Sequence, residues 1–220
     1  MPDVGAFGPS LLILGVVVVM LWFAFGTSRN ITRGNDLLRW LQGGLPQLGR
    51  KTTLRWLGSS AVELRFTEPA EPFKEVTVVT ILEPRDIPLL WLFSRARGRR
   101  DFLIFRTSLR HSPRIELEAA DPTAWVSPYG EEQLEWRSVP WPGDGRAVTT
   151  AKDGSPGLQA ARRTWEQLAR QSGGMWRLSV RQTVPHLELH LRPPDTATAS
   201  SSKLVESVKA LGVELDRQAG

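Results

Sequence analysis

The sequence contains no cysteine and is poor in other reactive side chains. Among 220 residues there are three histidines and one tyrosine. The lack of cysteine excludes disulfide bonds, thiolate metal sites and a cysteine nucleophile. With 41% hydrophobic and 23% charged residues, the chain is neither intrinsically disordered nor a multi-span membrane protein. The composition therefore favours a globular chain without thiol chemistry.

Charge is missing from one stretch near the start of the chain. No charged residue occurs between Asp3 and Arg29, and residues 6–26 are almost entirely apolar. A helix of that length spans roughly 31 Å at about 1.5 Å per residue, which matches the hydrocarbon thickness of a bilayer, about 30 Å. Aromatic residues near its end, such as Trp22 and Phe25, are typical of the membrane interface. The sequence predicts a single transmembrane helix at about residues 6–26.

Basic residues follow this stretch and predict its orientation. One acidic residue, Asp36, accompanies six basic residues: Arg29, Arg33, Arg39, Arg50, Lys51 and Arg55. The positive-inside rule places the amino terminus outside and the following domain in the cytoplasm, and we interpret the membrane as a bacterial cytoplasmic membrane. Two alternatives stay open. One is the opposite topology, and the other is an exported domain released by cleavage after Gly26, although the basic residues that usually begin a signal peptide are missing.

Three segments follow from these patterns. Residues 1–28 form the tail and transmembrane helix, residues 29–49 form a basic, amphipathic juxtamembrane segment, and residues 50–220 form a soluble domain. Within the second segment, residues 36–42 predict a short helix of one or two turns. Residues 121–157 are rich in proline, glycine and aspartate, which indicates an irregular connector with one hairpin. This connector is a candidate boundary within the soluble domain.

Hydrophobic periodicity in residues 50–220 predicts an α+β fold. Period-two alternation at residues 62–66 and a β-branched run at residues 76–81 indicate strands. Apolar residues recur every three or four positions at 158–169 and 204–215, which indicates two helices with two strands between them. Several strands thus precede a helix-strand-strand-helix order. We expect a mainly antiparallel sheet with two C-terminal helices.

Positive charge is concentrated in the half of the chain that follows the apolar stretch. Residues 29–110 carry 15 basic and 8 acidic residues. The densest cluster, at residues 94–100, is interpreted as the basic tip of a hairpin between strands at 88–93 and 102–109. Bulky apolar residues beside arginines suit a loop that enters the headgroup region of anionic lipids. The predicted membrane- or partner-docking residues are Trp91, Phe93, Arg95, Arg97, Arg99 and Arg100.

Two alternatives compete for this cluster. A solvated hairpin tip is one of them. Nucleic-acid binding is the other, and it is disfavoured because the arginines do not interleave with base-stacking aromatic residues over a surface.

The histidines offer the only string typical of a metal or acid–base site. On a strand, His186, Glu188 and His190 lie on one face, about 6.6 Å from one to the next. One histidine and Glu188 could share a metal, but the two histidines are roughly 13 Å apart and cannot. A solvent-facing polar strand face is the favoured interpretation. No cofactor is expected, and no Gly-x-Ser-x-Gly nucleophile motif occurs.

The leading functional hypothesis combines a membrane anchor with the lack of a catalytic signature. It is a single-pass membrane protein whose cytoplasmic α+β domain is an accessory or scaffold module that binds another protein. A membrane-tethered enzyme with a site around His186, Glu188 and His190 is the first alternative, and catalysis is the less favoured interpretation. An exported domain behind a cleaved signal peptide is the second.

Overall fold

A computed structural model describes residues 4–124 and 136–220, with side chains from Gly8 onward. The described part of the chain begins with a helix, α1, that is far longer than a bilayer crossing. The elements in chain order are α1 (Val4–Leu41), a 3-10 turn (Leu45–Gln47), β1 (Gly49–Trp56), β2 (Ala61–Pro69), β3 (Phe73–Ile81), α2 (Pro88–Ala96), β4 (Phe102–Leu109), β5 (Leu117–Ala120), β6 (Arg137–Val139), β7 (Arg146–Thr149), α3 (Pro156–Gln171), β8 (Met175–Val180), β9 (Leu187–Leu191) and α4 (Ser201–Ala219).

The strands in the described part of the chain form one antiparallel sheet of nine strands. Their order is β1-β2-β3-β4-β9-β8-β5-β7-β6. The predicted α+β fold with a closing helix-strand-strand-helix order is confirmed, since α3, β8, β9 and α4 follow one another. Strands β6 and β7 form the hairpin predicted within residues 121–157, and β7 pairs with β5 in the same sheet.

One face of the sheet carries the main core. Alternate residues of the central strands point to it, because side chains of a strand alternate between faces. Leu187, Leu189 and Leu191 of β9 are fully buried there. The apolar stripes of α3 and α4 cover this face, with Leu158 and Leu168 on α3 and a matching stripe on α4. The apolar residues that recur with a period of 3.6 in these two segments are thus the residues buried in the main core.

The opposite face carries a smaller apolar cluster and a polar network. Phe102 and Ile104 of β4 pack there with Trp176 of β8. A register shift between Met175 and Arg177 places Trp176 on the same face as its neighbour Arg177, while Met175 lies in the main core. Ala124 packs on the same cluster.

Helix α1 is both a membrane-spanning candidate and a part of the folded domain. Residues 8–41 are long and apolar enough to cross a membrane, and the large apolar side chains from Leu11 to Phe25 are exposed. Residues 27–41 extend the helix by roughly 22 Å at about 1.5 Å per residue. Leu38 and Leu41 at its end are buried in the main core. Residues 36–41 are helical as predicted, but the helix does not begin there, because these residues continue α1 without a break.

Candidate membrane-docking site

The arginine-rich segment that was predicted to be a hairpin contains a helix. Residues 88–93 are not a strand, since α2 runs from Pro88 to Ala96 and only residues 97–101 connect it to β4. Pro88 occupies the first turn, where its fixed φ favours a helix and its missing N–H costs nothing. The leucines, alanine and arginine that follow are good helix formers. Gly98, with φ of 83°, lets the chain turn away after the helix.

The apolar face of α2 points away from the domain. Leu89, Leu92 and Phe93 are 80%, 62% and 54% exposed, whereas Ser94 on the other side is buried. A helix on a soluble domain normally turns its apolar stripe inward. The reversed arrangement leaves a contiguous apolar surface, continued by Ile87, that only a second apolar phase or a partner would cover.

This surface lies beside the end of the apolar run of α1. The Trp22 Nε1 atom donates a hydrogen bond of 3.0 Å to the carbonyl oxygen of Arg85, three residues before α2. The rings of Trp22 and Trp91 lie 6.2 Å apart. At Gly26 a Cβ atom would lie 2.6 Å from the Cα atom of Asp86, so the backbones touch and only glycine fits. Helix α2 is therefore fixed at the level where the charge-free run ends.

A buried carboxylate fastens α2 to the domain. The side chain of Glu83 is 3% exposed and accepts hydrogen bonds from Trp91 Nε1 at 2.6 Å and from Arg95 Nη1 at 3.1 Å. Arg85 lies 3.7 Å from the same carboxylate and makes two hydrogen bonds to Asp101, at 3.0 and 3.1 Å. Charged hydrogen bonds in a partly buried setting hold geometry more firmly than exposed pairs do.

Polar side chains of α1 enter the same network. Asn30 is fully buried, donates from Nδ2 to the carbonyl oxygen of Glu83 at 3.1 Å and accepts from Arg85 at 3.1 Å. Arg33, one turn later, lies 3.6 Å from Asp101. Because buried polar groups are costly to leave unpaired, these contacts resist separation of α1 from the domain. The domain and the helix are thus coupled over residues 22–33.

The six predicted docking residues form three pairs with different surroundings. Phe93 is exposed and Arg97 stacks on its ring at 4.0 Å. Trp91 and Arg95 point inward to Glu83, so they position α2. Arg100 donates to the carbonyl oxygens of Arg95 and Arg99, which closes the connection to β4, and Arg99 is partly buried there.

Sequence reasoning missed Ile87, Leu89 and Leu92, together with the α1 residues that meet α2. The sequence did contain a signal for a helix here, because a run of apolar residues that starts with proline is compatible with a helix as well as a strand. The contact of Trp22 with Arg85 has no counterpart in the sequence pattern.

A cavity of about 350 Å³ lies between α1 and α2. Its lining combines three aromatic residues, three arginines and a glycine: Trp22, Phe25, Gly26, Arg29, Arg85, Trp91 and Arg95. The volume is within the range of small-molecule sites, about 300–1,000 Å³.

The predicted polar strand face is not solvent-facing. His186 is 8% exposed and His190 is 6% exposed, so that interpretation is wrong. The backbone N–H of Leu109 donates to His186 Nδ1 at 3.0 Å, which requires the neutral ring, and burial lowers the pKa of His186. His190 Nε2 lies 2.7 Å from Glu188 instead. Across residues 4–124 and 136–220, no group of three or more histidine or acidic side chains could hold a metal.

Glu188 belongs to a charged network on the sheet face opposite the main core. It accepts from Arg106 Nε at 2.8 Å and from Arg177 Nη1 at 3.2 Å. Arg177 also donates to Glu118, which Arg181 approaches at 2.9 Å. Burial raises the pKa of Glu188, but hydrogen bonds from His190 and Arg106 outweigh it and lower the pKa to about 2. This network links β4, β5, β8 and β9, and it has the composition of a structural ion-pair cluster.

No known protein family and no curated protein matches this sequence.

Proposed function

We propose that this is a single-pass membrane protein whose α+β domain is held against the bilayer by α1 and α2 together. The observation that carries the proposal is the exposed apolar face of α2 at the level where the charge-free run of α1 ends. One bilayer surface would then cover both the apolar face of α2 and the apolar run of α1. Each of Leu89, Leu92 and Phe93 would gain roughly 1–2 kcal/mol from burial of its exposed area.

The role proposed for the domain is that of an accessory or scaffold module on the cytoplasmic side. Rigid coupling supports this role, because Asn30, Arg85 and Glu83 join α1 to the domain and fix its distance from the membrane. A module that positions a partner needs such a fixed distance. Turnover of a small molecule by the purified full chain, or the lack of any discrete cross-linked species in membranes, would contradict it.

The test of membrane docking uses a single cysteine, which is unambiguous in a chain that has none. Leu89→Cys carries an environment-sensitive fluorophore on the full chain in vesicles of phosphatidylglycerol and phosphatidylcholine. Val184→Cys is the matched control, since Val184 is 66% exposed and comes three residues before Leu187, the first residue of β9. Leu187 pairs with Thr107, near the end of β4 that is opposite to α2.

We expect a blue-shifted emission and quenching by spin-labelled lipid at residue 89 only. Iodide in the aqueous phase should quench the probe at residue 184 and spare the one at residue 89. Equal iodide quenching at the two positions would mean that α2 is in water, and docking by α2 would be abandoned.

A further inference from the structure

We infer that the cavity between α1 and α2 binds one anionic phospholipid, with its phosphate at Arg29 and its acyl chains along α1. This inference rests on the proposed membrane docking and adds a defined lipid site to it. Its first support is the position of the cavity, which opens between Trp22 of the apolar run and Trp91 of α2. An amphipathic ligand fits a site whose aromatic residues adjoin a bilayer and whose other residues are cationic.

The charges around the cavity fit a single phosphodiester. Three arginines and no acidic residue line it. Behind the lining, Glu83 pairs with Arg95 and Asp101 pairs with Arg85, so two of the three lining arginines have a carboxylate partner. Arg29 is exposed and makes no ion pair in residues 4–124 and 136–220. Arg33 shares Asp101 with Arg85, so the surroundings of the cavity stay net positive, as the site of an anionic phosphodiester requires.

The hydrogen-bond donors also suit a phosphate. Arg95 is half exposed and uses only its Nη1 atom on Glu83, so the rest of its five N–H donors stay available. Guanidinium groups bind phosphate oxygens in pairs, which favours arginine at such sites. Asp86, the nearest other acid on this loop, accepts from the Ser59 hydroxyl and does not line the cavity. Repulsion of a phosphate by that carboxylate is therefore reduced.

Native mass spectrometry of the full chain in detergent tests the site. The probes are phosphatidylglycerol, phosphatidylcholine with the same acyl chains, and inorganic phosphate. The variant is Arg29→Gln, and Arg39→Gln is the control on the same helix, where Arg39 is 76% exposed and pairs with Asp36 away from the cavity. Arg29→Lys keeps the charge and loses the paired donors.

We expect wild type and Arg39→Gln to retain one phosphatidylglycerol, Arg29→Gln to bind it about ten-fold more weakly, and Arg29→Lys to fall between them. Equal retention by Arg29→Gln and Arg39→Gln would overturn the site. Equal binding of phosphatidylcholine, or full competition by inorganic phosphate, would overturn the anionic-lipid assignment. The fluorescence of residue 89 reports docking of α2 separately, so a vacant lipid site and a failure of docking are distinguishable.

Discussion

At the scale of single residues, Gly26 is where the backbone of α1 touches the backbone of the domain. A Cβ atom there would collide with the backbone of Arg85 and Asp86, whereas one at Gly15 on the same helix would meet nothing within 4 Å. We expect Gly26→Ala to push α1 away and to destabilise the domain by about 1–3 kcal/mol. Gly15→Ala should leave stability unchanged or raise it slightly, since alanine favours helices.

Thermal unfolding of the full chain in detergent, followed by tryptophan fluorescence, measures this difference. A loss of several degrees is expected for Gly26→Ala, because about 1 kcal/mol corresponds to roughly 2–4 °C in a chain of this size. Equal midpoints for the two variants would show that α1 and the domain are not in contact at Gly26.

The lowered pKa of Glu188 predicts that the free energy of unfolding depends on pH. Its pKa in the folded protein is about 2, below the ordinary value of 4.5, so the folded state favours the ionised form. The resulting stabilisation is present above about pH 5 and is lost as the pH falls toward 2, and it amounts to about 3 kcal/mol. Glu188→Gln should be less stable at pH 7 and should lose this part of the acid dependence.

Urea unfolding at pH 7, 5 and 3 is the measurement. The control is Glu71→Gln, since Glu71 is 81% exposed on its side chain and its loss should hardly change the curve. If Glu188→Gln followed the wild-type stability at all three pH values, the carboxylate would have no part in the acid dependence.

At the scale of elements, the sequence predicted helices and strands wherever one face is buried. Segments α3 and α4 carry apolar stripes with a helical period, and β2 alternates strictly, because each packs on a single core. Helix α2 departs from this rule, since its apolar face is exposed and its inward face carries Trp91, Ser94 and Arg95. Nine residues with five apolar ones in a row hold no clear period, so a strand was predicted there.

The end of α1 shows a second limit of sequence reasoning. The basic residues after residue 28 suggested a separate juxtamembrane segment, and the helix runs on to Leu41. Long-range contacts explain the difference. Asn30 bonds to Glu83 and Leu41 enters the main core, and neither contact is encoded in the local sequence. The buried state of His186 and His190 was missed for the same reason, since Leu109 and Phe102 come from β4.

At the scale of the whole molecule, the antiparallel sheet and the closing helix-strand-strand-helix order were predictable, and the joint between α1 and the domain was not. The order of these elements follows from local hydrophobic periodicity, because the periodic apolar residues are those that face the core. The joint depends on pairs such as Trp22 with Arg85, 63 positions apart. Because Trp22 and Gly26 contact the domain, the segment before the candidate cleavage position belongs to the folded structure. These contacts support the hypothesis of an uncleaved segment, whereas the orientation is a separate prediction.

The distribution of charge predicts an orientation at the same scale, and a membrane-impermeant maleimide tests it. Asp3→Cys reports the amino terminus and Val184→Cys reports the domain, with the cysteine-free wild type as blank. We expect Asp3→Cys to be labelled on intact cells and Val184→Cys to be labelled only after permeabilisation, because the arginines after residue 28 hold the domain inside. The reverse pattern would invert the topology. Loss of residue 3 from the mature chain, with Val184→Cys labelled outside, would instead establish cleavage and export.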